Sequence, residues 1–234
     1  MNTDTDGLKV VKESMMKFLS LAMTLCACYG FNYGLARFFR KRKALYTRMI
    51  VFGIGSAFMG RLFETLNLFA YGEIPSGFHI GMLGVVSSFL FFFTANFGQM
   101  DSLVDDGSRK FRASRLIALI APICVALLYG VYLHYAGGFG AGAFTRAVET
   151  IVIAMASYFH LKHLIIRDVD YGIIRSIRKY NLLALIYAFL CMTEMILNAA
   201  PFPGIVTVLV CILNCVVYLI FIPVLELGVK KWTT

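Results

Sequence analysis

Long apolar stretches alternate with short polar ones along this chain. Seven runs of membrane-spanning length are predicted, near residues 15–36, 49–71, 78–98, 116–136, 145–166, 182–200 and 205–227. A hydrocarbon core about 30 Å thick takes roughly 20 apolar residues of α-helix, and each run is close to that length. Lipid supplies no water to satisfy backbone N–H and C=O groups, so each run must close its hydrogen bonds within itself as a helix. The predicted fold is all-α: a polytopic integral membrane protein of seven transmembrane helices, with residues 1–234 forming a single transmembrane domain. A short head, six connections and a few C-terminal residues remain, too little for a second, soluble domain.

Composition agrees. Apolar residues make up 59% of the chain and charged residues 15%, too little charge to solvate so much apolar surface in water. The net charge of +9 matters through its distribution. Arg37, Arg40, Lys41, Arg42, Lys43 and Arg48 follow the first run, and Arg109, Lys110, Arg112 and Arg115 the third. Lys162, Arg167, Arg175, Arg178 and Lys179 follow the fifth, and Lys230 and Lys231 the seventh. The opposite loops, around 72–77, 137–144 and 201–204, carry Glu73 and no Lys or Arg. This is the positive-inside bias. It predicts an outer N-terminus and a cytoplasmic C-terminus in a plasma or inner membrane. Anionic headgroups, not nucleic acid, are the expected partners of the basic clusters. The first run is preceded by Asp4, Asp6, Lys9, Lys12 and Glu13 and is long enough to span, so a helix is expected there rather than a cleaved leader.

A 3+1+3 internal repeat is an expectation of the second and sixth runs. Glu64 lies sixteen residues past Arg48 and Glu194 fifteen past Lys179. Asn67 and Asn198 follow at similar offsets, then Pro75 with Gly77, and Pro201 and Pro203 with Gly204. Parallel duplications of this kind occur in transporters. Glycines are expected to let helices approach closely: Gly53, Gly55 and Gly60 on the second run, and Gly81 and Gly84 with Ser87 and Ser88 on the third. Pro122 and Pro223 fall inside spans, where a kink is tolerated.

The candidate chemistry is ionisable. A charge at mid-bilayer costs at least about 2.5 kcal/mol on insertion scales, so such residues face the bundle interior or a water-filled cavity. At about 1.5 Å per residue, Arg61 falls near the membrane centre and Glu64 one turn further out. Three residues apart, they can pair. Glu194 falls at a similar height on the sixth run, and Glu149 enters from the outer side on the fifth, just after Arg146. The predicted ligand site is therefore an outer-half pocket of Arg61, Glu64, Asn67, Glu149, Glu194 and Asn198, with His79, His134 and Arg146 at its rim. A polar cluster that only locks helix packing would use the same residues. Three carboxylates and two imidazoles are ligand types that zinc accepts, but no H-E-x-x-H spacing is present, and no metal or cofactor is expected. The six cysteines all lie inside spans and are expected to act as small apolar fillers.

On the inner side, His160 and His163 are expected at the membrane interface. Asp105-Asp106-Gly107-Ser108 reads as a turn. The loops at 99–115 and 167–181 are where a cytoplasmic protein partner would make contact.

The seven-helix layout, N-terminus out and C-terminus in, is similar to the seven-helix membrane sensor modules of bacterial histidine kinases and cyclases. That resemblance is topological and covers the whole chain. It implies a receptor-like module that binds a small molecule or ion and signals through a partner. Microbial rhodopsins share the layout, but the middle of the seventh run reads Val-Cys-Ile-Leu-Asn-Cys-Val-Val-Tyr at 210–218, without the lysine that retinal needs. Sugar transporters of the PQ-loop type share the symmetry, but no Pro-Gln pair occurs. A small-solute or proton-coupled transporter is the second reading. An intramembrane enzyme is the third, and no nucleophile or metal constellation can be assembled for it.

Overall fold

A computed structural model describes residues 3–39, 44–75, 77–101, 105–166, 173–200 and 204–233. Arg40, Lys41, Arg42, Lys43, Arg167, Pro201 and Pro203 lie outside the described residues, as do positions 102–104 and 167–172 of the two inner loops. Among the described residues, eight α-helices follow in order: α1 (Thr3–Phe38), α2 (Leu45–Tyr71), α3 (Ile80–Ala95), α4 (Arg112–Ala118), α5 (Ile120–Tyr135), α6 (Ala141–Ile165), α7 (Ile173–Ala199) and α8 (Gly204–Thr233). A π-helical turn (Asn96–Asp101) continues α3, and a 3-10 turn (Arg109–Phe111) leads into α4. No strand is present among the described residues.

Among the described residues, six segments are long and apolar enough to cross a membrane: Ser14–Phe38, Leu45–Tyr71, Ile80–Gly98, Arg109–Tyr135, Ile177–Ala199 and Gly204–Lys230. The chain is thus an all-helical, membrane-embedded protein whose apolar helix faces meet lipid. The fourth segment is broken at Leu119. Pro122 has no N–H to donate to Ala118, and its ring crowds that carbonyl. Leu119 N–H turns instead to Leu116 O at 3.2 Å.

The long helix outside this set is α6. Its 25 residues suffice to span, but Arg146, Glu149, His160, Lys162 and His163 interrupt its apolar character. Packing explains why it tolerates them. It lies against α3, α4, α5 and α7, so much of its surface never meets lipid. What it turns outward is an apolar stripe of Phe144, Val148, Ile151 and Met155, at helical spacing.

Neighbours close a ring. α1 packs on α2 and α8, α2 on α3, α3 on α6, α6 on α7, and α7 on α8. α5 stands outside the ring against α6 and α7, exposing Ile123, Leu127 and Val131. Glycines set the closest approach. A Cβ at Gly84 would lie 2.5 Å from Gly60 Cα and 2.7 Å from Ser56 O, so the α2 and α3 backbones touch there. A Cβ at Gly53 would strike the Phe92 ring at 2.5 Å.

The ring is filled at mid-height by fully buried aromatics. Phe89 stacks on Tyr187 with centroids 5.2 Å apart, and Phe92 stacks on Phe221 at 5.2 Å. Tyr180 meets Phe221 edge-on at 5.5 Å. Such pairs contribute about 0.5–1.5 kcal/mol each beyond area burial.

Candidate functional site

Three helices bring charge to one cavity. α2 carries Arg61 and Glu64, α7 carries Glu194, and α6 carries Arg146 and Glu149. All five line a cavity of about 80 Å³, with Asn198 also on its wall. The i,i+3 spacing puts Glu64 on the same face as Arg61, and Nη1 donates to Glu64 Oε2 at 3.2 Å. Arg61 Nη2 donates to Glu194 Oε2 across the bundle. Its Nε donates to Tyr218 Oη at 3.4 Å, and that hydroxyl meets Tyr187 Oη at 3.2 Å. Arg146 repeats the i,i+3 device on α6, with Nη1 donating to Glu149 Oε2 at 2.6 Å. The Glu149 side chain is 4% exposed, the most enclosed of the five.

Three predicted members stand apart. Asn67 spends its amide on its own helix, donating to Phe63 O at 2.9 Å, and does not reach the cavity wall. His79 caps α3: it is buried, its Nδ1 accepts Met82 N–H at 3.3 Å, and its ring stacks on Phe63. His134 rests edge-on against Tyr135, away from the cavity.

The wall also has members that charge alone does not reveal. Cys191, Val210 and Cys211 supply its apolar side. Ser20 of α1 lines it too, and begins a hydroxyl chain: Ser20 Oγ to Thr65 Oγ1 at 2.7 Å, then Thr65 to Thr24 Oγ1 at 2.7 Å. The i,i+4 spacing of Ser20 and Thr24 within the apolar stretch 18–31 of α1 was the available signal.

Beyond the aromatic layer, a second polar group ties α3, α6 and α7. His160 Nδ1 lies 2.8 Å from Asn96 Nδ2 and 2.9 Å from Asn181 Oδ1. All three residues are fully buried. Further along α6, Lys162 Nζ donates to Asp101 Oδ1 at 2.6 Å and pairs with Asp105 Oδ2 at 2.8 Å. Arg115 reaches Asp105 at 3.1 Å, and His163 Nε2 lies 3.2 Å from Asp101 Oδ1. His160 and His163, expected at the membrane interface, are both 0% exposed, enclosed between helices rather than facing outward. The π-turn and the loop carrying Asp105 fold over them. The predicted turn is present, with Gly107 N–H donating to Asp105 Oδ1 at 3.0 Å and Ser108 N–H to Asp106 Oδ1 at 2.9 Å. Asp105 clamps it to α6 by facing Lys162, while Asp106 and Gly107 stay exposed.

Among the described residues, no three His, Cys, Asp or Glu side chains converge as a metal ion requires, and all six cysteines are free. The chain matches no family model, no curated protein and no solved structure.

Proposed function

We propose that this chain is a seven-helix sensor or receptor module of the cell membrane, N-terminus outside and C-terminus cytoplasmic. In this reading it binds a small ligand in the outer-half cavity and passes occupancy to a partner through inner loops 99–115 and 167–181. The seventh span is α6, whose 25 residues reach about 37 Å at 1.5 Å each. The observation that carries the reading is the aromatic layer of Phe89, Phe92, Tyr187 and Phe221 beneath the charged cavity. A cavity closed toward the inner half suits capture better than passage. Helix α6 supplies the link. It carries Glu149 on the cavity wall and Lys162 in the inner clamp, thirteen residues or about 20 Å apart on one rigid element. Exposed Arg109, Lys110 and Arg112 border that clamp and offer the contact surface.

A transporter is the second reading, favoured by the ring. Let α1–α3 correspond to α6–α8, with α4 and α5 as the link. Contact α1–α2 then matches α6–α7, α2–α3 matches α7–α8, and α3–α6 matches α8–α1. Glu64 and Glu194 then sit on counterpart helices and share Arg61. This supports the 3+1+3 duplication and two exchangeable states.

The test is a thermal-shift screen of purified protein in nanodiscs against pH and a small-metabolite panel, beside a flux assay of any hit in liposomes. A ligand that stabilises wild type but not Glu64→Gln/Glu194→Gln, without flux, is expected. Flux lost in the same variant would replace the sensor with the transporter. If the variant lowers stability alone and no ligand shifts wild type, the cluster only locks packing.

A further inference from the structure

The cavity wall holds three carboxylates against two guanidiniums, a formal surplus of one negative charge. All three nitrogens of Arg61 are engaged: Nη1, Nη2 and Nε donate to Glu64, Glu194 and Tyr218. Arg146 meets a carboxylate only at Glu149. Each glutamate is bonded through Oε2 alone, so Oε1 of Glu64, Glu149 and Glu194 takes no hydrogen bond from the protein. For Glu149, which is 3% exposed, that oxygen is an acceptor left open to the cavity. Every carboxylate here is paired with an arginine, so what a cationic guest answers is the one surplus negative charge and the oxygens left open to the cavity.

Size and shape narrow the guest. A water's share of liquid volume is about 30 Å³, so about 80 Å³ holds roughly two or three waters, room for a molecule of about four heavy atoms. The carboxylates surround this volume without focusing on one point as a metal ion needs. Cys191, Met195, Val210 and Cys211 leave one side apolar, fit for a short carbon skeleton. An ammonium group offers three donors and no acceptor, the complement of free carboxylate oxygens.

Resting on the reading of this cavity as a ligand site, we propose that its ligand is a small protonated primary amine with a net charge of about +1. The ammonium head faces the free oxygens of Glu149, Glu64 and Glu194, and the carbon chain lies on the Cys191 and Cys211 side.

The test uses the full chain in nanodiscs at fixed ionic strength, with ethanolamine, glycine and acetate as near-equal-sized cation, zwitterion and anion. Ethanolamine should raise the melting temperature saturably, while glycine, acetate and an exchange of sodium for potassium leave it unchanged. The shift should vanish in Glu149→Gln. It should vanish also in Cys211→Leu, which fills the apolar side without touching charge and serves if Glu149→Gln fails to fold. Glycine acting as strongly as ethanolamine, with loss in Cys211→Leu, would keep the cavity as a site and overturn the amine. Stabilisation by acid alone, with no amine response, would put a proton in its place and overturn it too. No shift from any probe overturns the amine, while the wider metabolite screen decides the cavity.

Discussion

Glu64 and Glu194 are held by the same guanidinium: Arg61 donates from Nη1 to Glu64 at 3.2 Å and from Nη2 to Glu194. Removing one carboxylate leaves Arg61 paired. Removing both leaves a cation in a site where its side chain is 11% exposed. An uncompensated buried charge costs about 3–5 kcal/mol, whereas one lost charged hydrogen bond costs about 1.5–3 kcal/mol. Glu64→Gln and Glu194→Gln together should therefore destabilise by more than their sum, and adding Arg61→Gln should recover part of the loss. Unfolding of the single, double and triple variants in one detergent measures this. Simple additivity would mean that the two carboxylates do not share the charge.

Gly84→Ala should push α3 off α2. Its new Cβ meets Gly60 Cα at 2.5 Å, backbone that cannot swing aside. Overpacking of this kind costs about 1–3 kcal/mol. Gly130→Ala on α5 is the control, because its Cβ would meet nothing within 4 Å. There the gain in helix propensity, up to about 1 kcal/mol, should leave stability unchanged or slightly raised. Thermal unfolding of both variants checks the contrast.

The inner clamp should be acid-labile. Burial alone would raise the Asp101 carboxyl, but hydrogen bonds from His163 and Lys162 outweigh it and hold the group below its ordinary value. A carboxylate depressed in the folded state adds stability above its unfolded pKa of about 3.9. That stability is lost as pH falls through the lower folded value. Proteolysis of the 105–111 segment should thus stay slow at neutral pH and accelerate only in strong acid. Lys162→Met, which leaves Asp101 only His163 and Asp105 only Arg115, should make the segment labile at pH near 7. Equal protection in both proteins would show that the ion pairs do not hold it.

Phe139→Cys, 69% exposed at the loop before α6, should react with a membrane-impermeant thiol reagent on intact cells. Asp106→Cys should react only after permeabilisation. The reverse pattern would invert the topology read from the basic residues.

Long helices were legible because hydropathy at span length leaves few alternatives. The Arg61–Glu64 and Arg146–Glu149 pairs were legible because i,i+3 spacing is a local property. Glu194 came from height alone, since antiparallel and parallel spans can be laid side by side by counting residues. What counting cannot give is azimuth and neighbour choice. Asn67 is near the right height but faces its own backbone. His160 and His163 look interfacial by position, yet a π-turn and a loop from elsewhere in the chain cover them. Lys162 with Asp101 and Asp105 joins segments about sixty residues apart in sequence, and nothing local announces it. Tyr218, ordinary in an apolar run, becomes a ligand of Arg61 only through the packing of α8.

The π-turn at Asn96–Asp101 governs helical phase. Five residues of regular α-helix sweep about 140° past a full turn, which would aim Asn96 and Asp101 at different neighbours. A turn closed by i→i+5 bonds brings the fifth residue back over the first. Asn96 can then bond His160 while Asp101 bonds Lys162, both on α6. The outer part of α3 keeps its own phase against α2 through Gly81 and Gly84. One helix therefore serves two neighbours. Losing a single residue from the turn would leave the glycine contact in register and rotate the clamp about 100° away from its lysine.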